Sequence, residues 1–224
     1  MKIYNFSSYR LAVPSSFFIC CLIFSQFIAA QEVAILKYEG GGDWYANPTA
    51  VPNLIRYCNE NIDTRLLENP KNIEPQSKEL FNFPIVFLTG HGNVFFSDQA
   101  SKNLRNYLIS GGFIHISDNY GLDQFIRKEM KKVFPELEFE EIPFEHDIYH
   151  QNYNFTTLPK IHEHDAKPAQ GFGLFYEGRL ICFYDFESDL SDGWEDEVVH
   201  NNPPEVRQKA LQMGANIIAY AFKN

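Results

Sequence analysis

The run "FPIVFLTG" at 83–90 is apolar on consecutive residues rather than on alternate ones. A strand that reads this way is buried on both faces, which is the situation of a parallel sheet with helices above and below it. The rest of the chain agrees. "EVAILKY" (32–38) is a second β run, "TRLLEN" (64–69) is compatible with a short strand, and "FIHIS" (113–117) is another. Between them lie helical segments. "TAVPNLIRYCNENI" (49–62) has Thr49 as N-cap and tolerates Pro52 in its first turn, where amides lack partners anyway. "SDQASKNLRNYLIS" (97–110) is capped by Ser97 or Asp98 and stopped by Gly111-Gly112. "GLDQFIRKEMKKVF" (121–134) ends at Pro135. The alternation predicts an α/β domain built on a parallel sheet covered on both faces.

After Pro135 the pattern changes. "LEFEEI" (137–142) reads as a strand and is followed by a polar, histidine-rich stretch. "GLFYEGRLICFYDF" (173–186) predicts a hairpin turning at Glu177-Gly178. A final helix is expected from Pro203-Pro204 to about Tyr220, with Val206, Ala210, Met213 and Ile217 on one face.

The first thirty residues read as a secretion signal. Lys2 and Arg10 precede the apolar stretch 11–30, and Ala29-Ala30 before Gln31 offers a small-residue cleavage site. An uncleaved anchor is the competing reading, because the run approaches spanning length. Pro14, Gln26 and the serines weaken such a span and favour cleavage, and Cys20 and Cys21 sit in no convincing lipobox. The expectation is an exported protein, periplasmic or extracellular, that touches a membrane only if this segment is retained. The remainder, 31–224, is one domain's worth of chain. Cleavage removes Lys2 and Arg10 and leaves 17 basic against 29 acidic side chains, a net charge of −12. Such a chain repels phosphate backbones, which argues against nucleic acid as a partner. Cys58 and Cys182 could pair in an oxidising compartment, but each falls on an apolar face, so two buried core thiols are expected.

The glycine stretch "YEGGGDWYANPTAVPNLI" (38–55) is no phosphate loop. A P-loop needs a lysine and a Ser/Thr after its glycines, whereas Asp43 and Trp44 stand here. A dinucleotide fingerprint needs spaced glycines running into a helix, whereas Gly40, Gly41 and Gly42 are contiguous. The glycines instead let the chain turn off the sheet and present Asp43, Trp44 and Tyr45 at its carboxyl edge, where open α/β sheets bind ligands. A tight loop pinned by a packed Trp and Tyr has equal standing.

Taken together, "GGGDWYANPTAVPNLI", "PIVFLTGHG", "LRNYLISGGFIHISDNYG", "FEHDIYHQNYNF" and "GRLICFYDFESDLSDGWE" resemble the domain-of-unknown-function family 4159 over nearly all of the exported chain. The resemblance implies a flavodoxin-like architecture of the class I glutamine amidotransferase-like and ThuA-like kind. It implies no activity, because the family has no established role. Such domains usually carry a cysteine at a sharp turn after a central strand. The corresponding turn here is Asp118-Asn119-Tyr120-Gly121, without cysteine, so thiolate-driven glutamine hydrolysis is not expected. Asp118 takes that position, where it could bind a metal, act as a base, contact a sugar hydroxyl or cap the next helix.

His91 follows the buried strand directly and should emerge beside Asp118; a hydrogen-bonded structural histidine is the other reading. His146 and His150 are four apart and would share a face if helical, as a metal-binding pair does; an irregular loop is the other reading. His162 and His164 are read as part of a solvated loop, and so is the acidic run "DFESDLSDGWEDE" (185–197), which fails calcium-loop spacing. Trp194 inside that run, like Trp44 and Tyr45, could stack on a sugar ring. The leading expectation is an exported α/β domain that binds a small polar or carbohydrate-like ligand, or an envelope partner, through Asp43, Trp44, Tyr45, His91, Asp118, Asn119 and Trp194. Cofactors stay open, a divalent metal at His146 and His150 included. The competing expectations are a metal-assisted hydrolase using His ligands and Asp118, and a structural part of a membrane-associated assembly. Asp43, His91 and Asp118 should converge, with 146–150 closing over them.

Overall fold

A computed structural model describes residues 31–223; the expected signal segment lies outside them. Among the described residues a seven-stranded sheet has the order β2-β1-β3-β4-β7-β6-β5. Its strands are β1 (Ala34–Leu36), β2 (Lys71–Ile73), β3 (Ile85–Leu88), β4 (Phe113–Ser117), β5 (Glu140–Glu141), β6 (Gln170–Tyr176) and β7 (Arg179–Phe186). The first four strands and β7 run parallel, and β6 and β5 extend the sheet antiparallel. Strands 32–38, 83–89 and 113–117 are therefore parallel neighbours in the order β1-β3-β4, as the apolar runs predict.

Among the described residues the α-helices are α1 (Ala50–Asn61), α2 (Asp98–Ile109), α3 (Asp123–Val133), α4 (Glu197–His200) and α5 (Pro204–Lys223). Two cores result, one per face. α1 and α5 pack through Leu54, Ile55, Cys58, Met213 and Ile217 against Val33, Ile85, Phe113 and Phe183. α2 and α3 pack through Leu104, Leu108, Ile126 and Met130 against Leu36, Val86, Ile114 and Cys182. This is the three-layer, flavodoxin-like arrangement. Cys58 and Cys182 are both free and buried, one in each core.

Local departures have local causes. The expected strand at 64–69 forms instead at Lys71–Ile73, and Leu66 makes only an isolated bridge with Gln31. The Asn59 side chain accepts from the Leu66 amide and donates to its carbonyl, which ties this stretch to the end of α1. Thr49 precedes α1 but its hydroxyl does not cap it; that hydroxyl accepts from the Asp196 amide. Ser97 caps α2 as expected, accepting from the Ala100 amide. The hairpin turns at Glu177-Gly178, both with positive φ, and the 137–142 strand shortens to two residues.

Candidate functional site

In a doubly wound sheet of order 2-1-3-4, the crevice for ligands lies between β1 and β3, where the chain winds off in two directions. Here the two loops fill that crevice by bonding to each other. Phe95 donates its amide to the Glu39 carbonyl, Gly42 to the Asn93 carbonyl, and the Asn93 side chain to the Gly40 carbonyl. Asp43 accepts from the His91 amide, and its Oδ2 lies 3.1 Å from His91 Nδ1. Gly90 permits the close approach: φ is +133°, and a Cβ there would come within 3.0 Å of the Asp43 carbonyl. The glycine stretch is thus a loop clasp. Trp44 is half-buried against the second core, and its ring meets Tyr45 edge to face, leaving Tyr45 66% exposed.

The open space lies further along the same edge, beyond β4 and β7. Asp118, at the sharp turn after β4, is buried and accepts from the Glu187 amide at 2.8 Å. Burial pushes its carboxyl up to about 7, with Asp185 and Asp189 adding to the effect against the bond from Glu187. A cleft of about 380 Å³ opens beside it, lined by Asp118, Tyr120, Gln124, His164, Lys167 and Glu187 among others. Tyr120 is 61% exposed and sets its ring edge to face against His164, with centroids 5.5 Å apart. Asn119 does not line the cleft. It turns inward, where Thr89 Oγ1 lies 3.1 Å from its Oδ1, and its buried Nδ2 has no partner among the described residues.

Hydrogen bonds tie the two halves of the edge together. Thr89 Oγ1 lies 3.2 Å from Ser191 Oγ, and Ser191 Oγ accepts from Asn47 Nδ2 at 2.7 Å. Ser117 Oγ accepts from the Ser191 amide. The exits of β1, β3, β4 and β7 are all joined in this way. Asp43, His91 and Asp118 consequently share one edge, but only Asp118 faces the cleft.

The acidic run does not form the solvated loop its composition suggests. Asp185, Glu187, Ser188, Asp189, Ser191, Asp192 and Glu195 are all buried. Leu190 and Trp194, spaced four apart, anchor the segment in the first core. Its carboxylates find internal partners. Asp189 Oδ2 lies 2.5 Å from His164 Nε2, and Asp192 Oδ2 lies 2.9 Å from His162 Nδ1. Asp189 Oδ2 also lies 3.5 Å from His162 Nδ1, and the two carboxylates lift His162 to about 10, Asp189 contributing first and Asp192 second, against the opposing effect of burial. His200, at the end of α4, places Nε2 3.7 Å from the same Asp192 oxygen. His162 and His164 are therefore held by buried carboxylates rather than forming a solvent-facing pair. The apolar anchors inside the acidic run were the available signal for this burial.

Trp194 is a correction. It is 1% exposed, donates Nε1–H to the Ala210 carbonyl at 2.8 Å, and packs against Phe87 and His115, so no sugar ring can reach it. The 146–150 stretch is another. It forms a 3-10 turn over Asp147–Tyr149 flanked by the two histidines, not an α-helical face that aligns them. His146 accepts from the Ile148 amide and packs on Tyr220 and Phe175, whereas His150 engages Asn154 and the Phe144 carbonyl. Tyr220 in turn packs on Phe113, the first residue of β4, so His146 lies toward the amino ends of the strands. The segment does not close over the carboxyl edge.

No curated protein matches the chain. A family signature does, over residues 32–222, nearly the whole of the described region. The chain belongs to the family described as Domain of unknown function (DUF4159).

Proposed function

We propose that this chain is an exported binding domain for a small, neutral, polar ligand of carbohydrate-like chemistry, held at the carboxyl edge beyond β4 and β7. The observation that carries the reading is the exposed Tyr120 ring beside a polar cleft that contains Asp118, Gln124 and His164. An aromatic face takes the apolar side of a sugar ring, and the carboxylate and amide take its hydroxyls. The cleft volume of about 380 Å³ is of the size that encloses one or two such rings. The acidic balance of the chain disfavours polyanions and tolerates neutral polyols. Tyr120 supplies the stacking surface that the sequence suggested for Trp194.

Thermal unfolding with a panel of neutral mono- and disaccharides tests the reading. A ligand at about ten times its Kd adds about 1.4 kcal/mol of stability and raises Tm by a few degrees. Tyr120→Ala and Gln124→Ala should each remove the shift while leaving the unliganded Tm within about 2 °C of wild type, as exposed positions do. A panel that produces no shift, or a shift both variants retain, refutes the assignment.

A further inference from the structure

We propose that His162, Asp192 and His200 form a binding site for a divalent cation of the zinc class. The three donors lie within 4.8 Å of one another. They come from three separate segments: the loop after Pro159, the β7 exit and the end of α4. Asp192 Oδ2 is 2.9 Å from His162 Nδ1 and 3.7 Å from His200 Nε2. Donors bound tetrahedrally to zinc at about 2.0–2.2 Å sit about 3.3–3.5 Å from one another. The two distances from Asp192 bracket that value, and the third pair lies within 4.8 Å.

Two further observations point to a cation. Asp192 Oδ1 accepts from Asn47 Nδ2 at 2.6 Å, which orients the carboxylate and leaves Oδ2 to the histidines. Outer bonds of this kind hold metal ligands in place. Beside the same His162 ring, Asp189 is 2% exposed, and its Oδ1 has no partner among the described residues. A buried carboxylate oxygen without a partner is costly, and a metal ion bound at His162 in place of its proton would help to offset that cost. Two imidazoles and a carboxylate suit zinc better than the all-oxygen shells of calcium or magnesium. The site adjoins the cleft through His164, which bonds Asp189, but cation binding does not depend on the ligand reading.

The test uses the full chain without a polyhistidine tag, stripped with a chelator and then titrated. Zinc is followed by calorimetry and cobalt(II) by its visible absorption. One ion per chain is expected, with a cobalt spectrum of a four-coordinate N/O site. His162→Ala and His200→Ala should each weaken binding about 100-fold or more, and Asn47→Ala about tenfold. His146→Ala/His150→Ala should bind as wild type does. His200 is partly exposed at the end of a one-turn helix, so its variant stays informative if His162→Ala fails to fold. A wild-type chain that takes up neither ion, or binding that survives both His200→Ala and Asn47→Ala unchanged, overturns the site.

Discussion

His115 Nε2 lies 2.7 Å from Asp185 Oδ2, on adjacent parallel strands, with both side chains wholly buried. Burial drives each toward its neutral form: His115 falls to about 3 and Asp185 rises well above the usual carboxylate range. Asp185 also accepts from Ser117 Oγ and from the Asp118 amide. The pair thus fixes the end of β4 and the turn that carries Asp118. Removing one partner strands the other in a dry core. Asp185→Ala should cost about 1–3 kcal/mol in chemical denaturation, the penalty of leaving a buried neutral group unsatisfied, and no measurable cost would show that the pair positions nothing.

Asp118 gives a pH signature. Its carboxyl is raised from 3.8 to about 7, chiefly by burial. The folded chain therefore holds a proton that the unfolded chain releases. Its contribution is fully present below about pH 4 and is lost as pH rises to about 7. His115 acts in the opposite sense, costing stability as pH falls from about 6.5 toward about 3. The two overlap in the wild-type profile, so the difference between Asp118→Asn and wild type isolates the first. Unfolding free energies measured from pH 4 to 8 should show the variant gaining on wild type by about 2–4 kcal/mol up to pH 7, then levelling. A flat difference would mean that Asp118 titrates as an ordinary carboxyl.

Trp194 and Tyr45, alike as aromatic candidates by sequence, behave differently. Trp194→Ala opens a cavity in the first core and removes the bond to Ala210, at a cost of about 3–5 kcal/mol. Tyr45→Ala, at a position 66% exposed, should stay within about 0.5 kcal/mol of wild type. Urea titration of both variants checks the contrast.

The thiols are structural. Burial pushes Cys58 up to about 12 and Cys182 well above its ordinary value. Neither should react with a thiol reagent in the native state at neutral pH. Cys58→Ala/Cys182→Ala should lose roughly 1–3 kcal/mol for each cavity and keep its ligand and cation binding. Loss of binding in a folded double variant would give the thiols a role that this account denies them.

The parallel strands were legible because double-sided burial leaves an unbroken apolar run, as at Ile85–Leu88. The position of Asp118 followed from the strand ahead of it. The rest turned on long-range partners that local pattern does not record. A carboxylate run reads as solvated until the histidines that neutralise it, His162, His164 and His200, arrive from other segments. Spacing of four left a helix face or an irregular loop open for His146 and His150, and Pro143 and the packing of Tyr149 turn the chain into a 3-10 bend. The clasp between Asp43 and His91 was legible as proximity, though not as a closed loop pair.

Backbone amide mapping by NMR tests the central claim most directly. The isotope-labelled chain would be titrated with the neutral saccharide that raises Tm most. Shifts should concentrate at residues 118–124, at 164–167 and at Phe186 and Glu187, the segments that line the cleft. The 143–154 segment and the amino ends of the strands should stay unmoved. Shifts confined to those distant regions, or to the Tyr45 loop with the cleft silent, would contradict the assignment of ligand binding to the edge beyond β4 and β7.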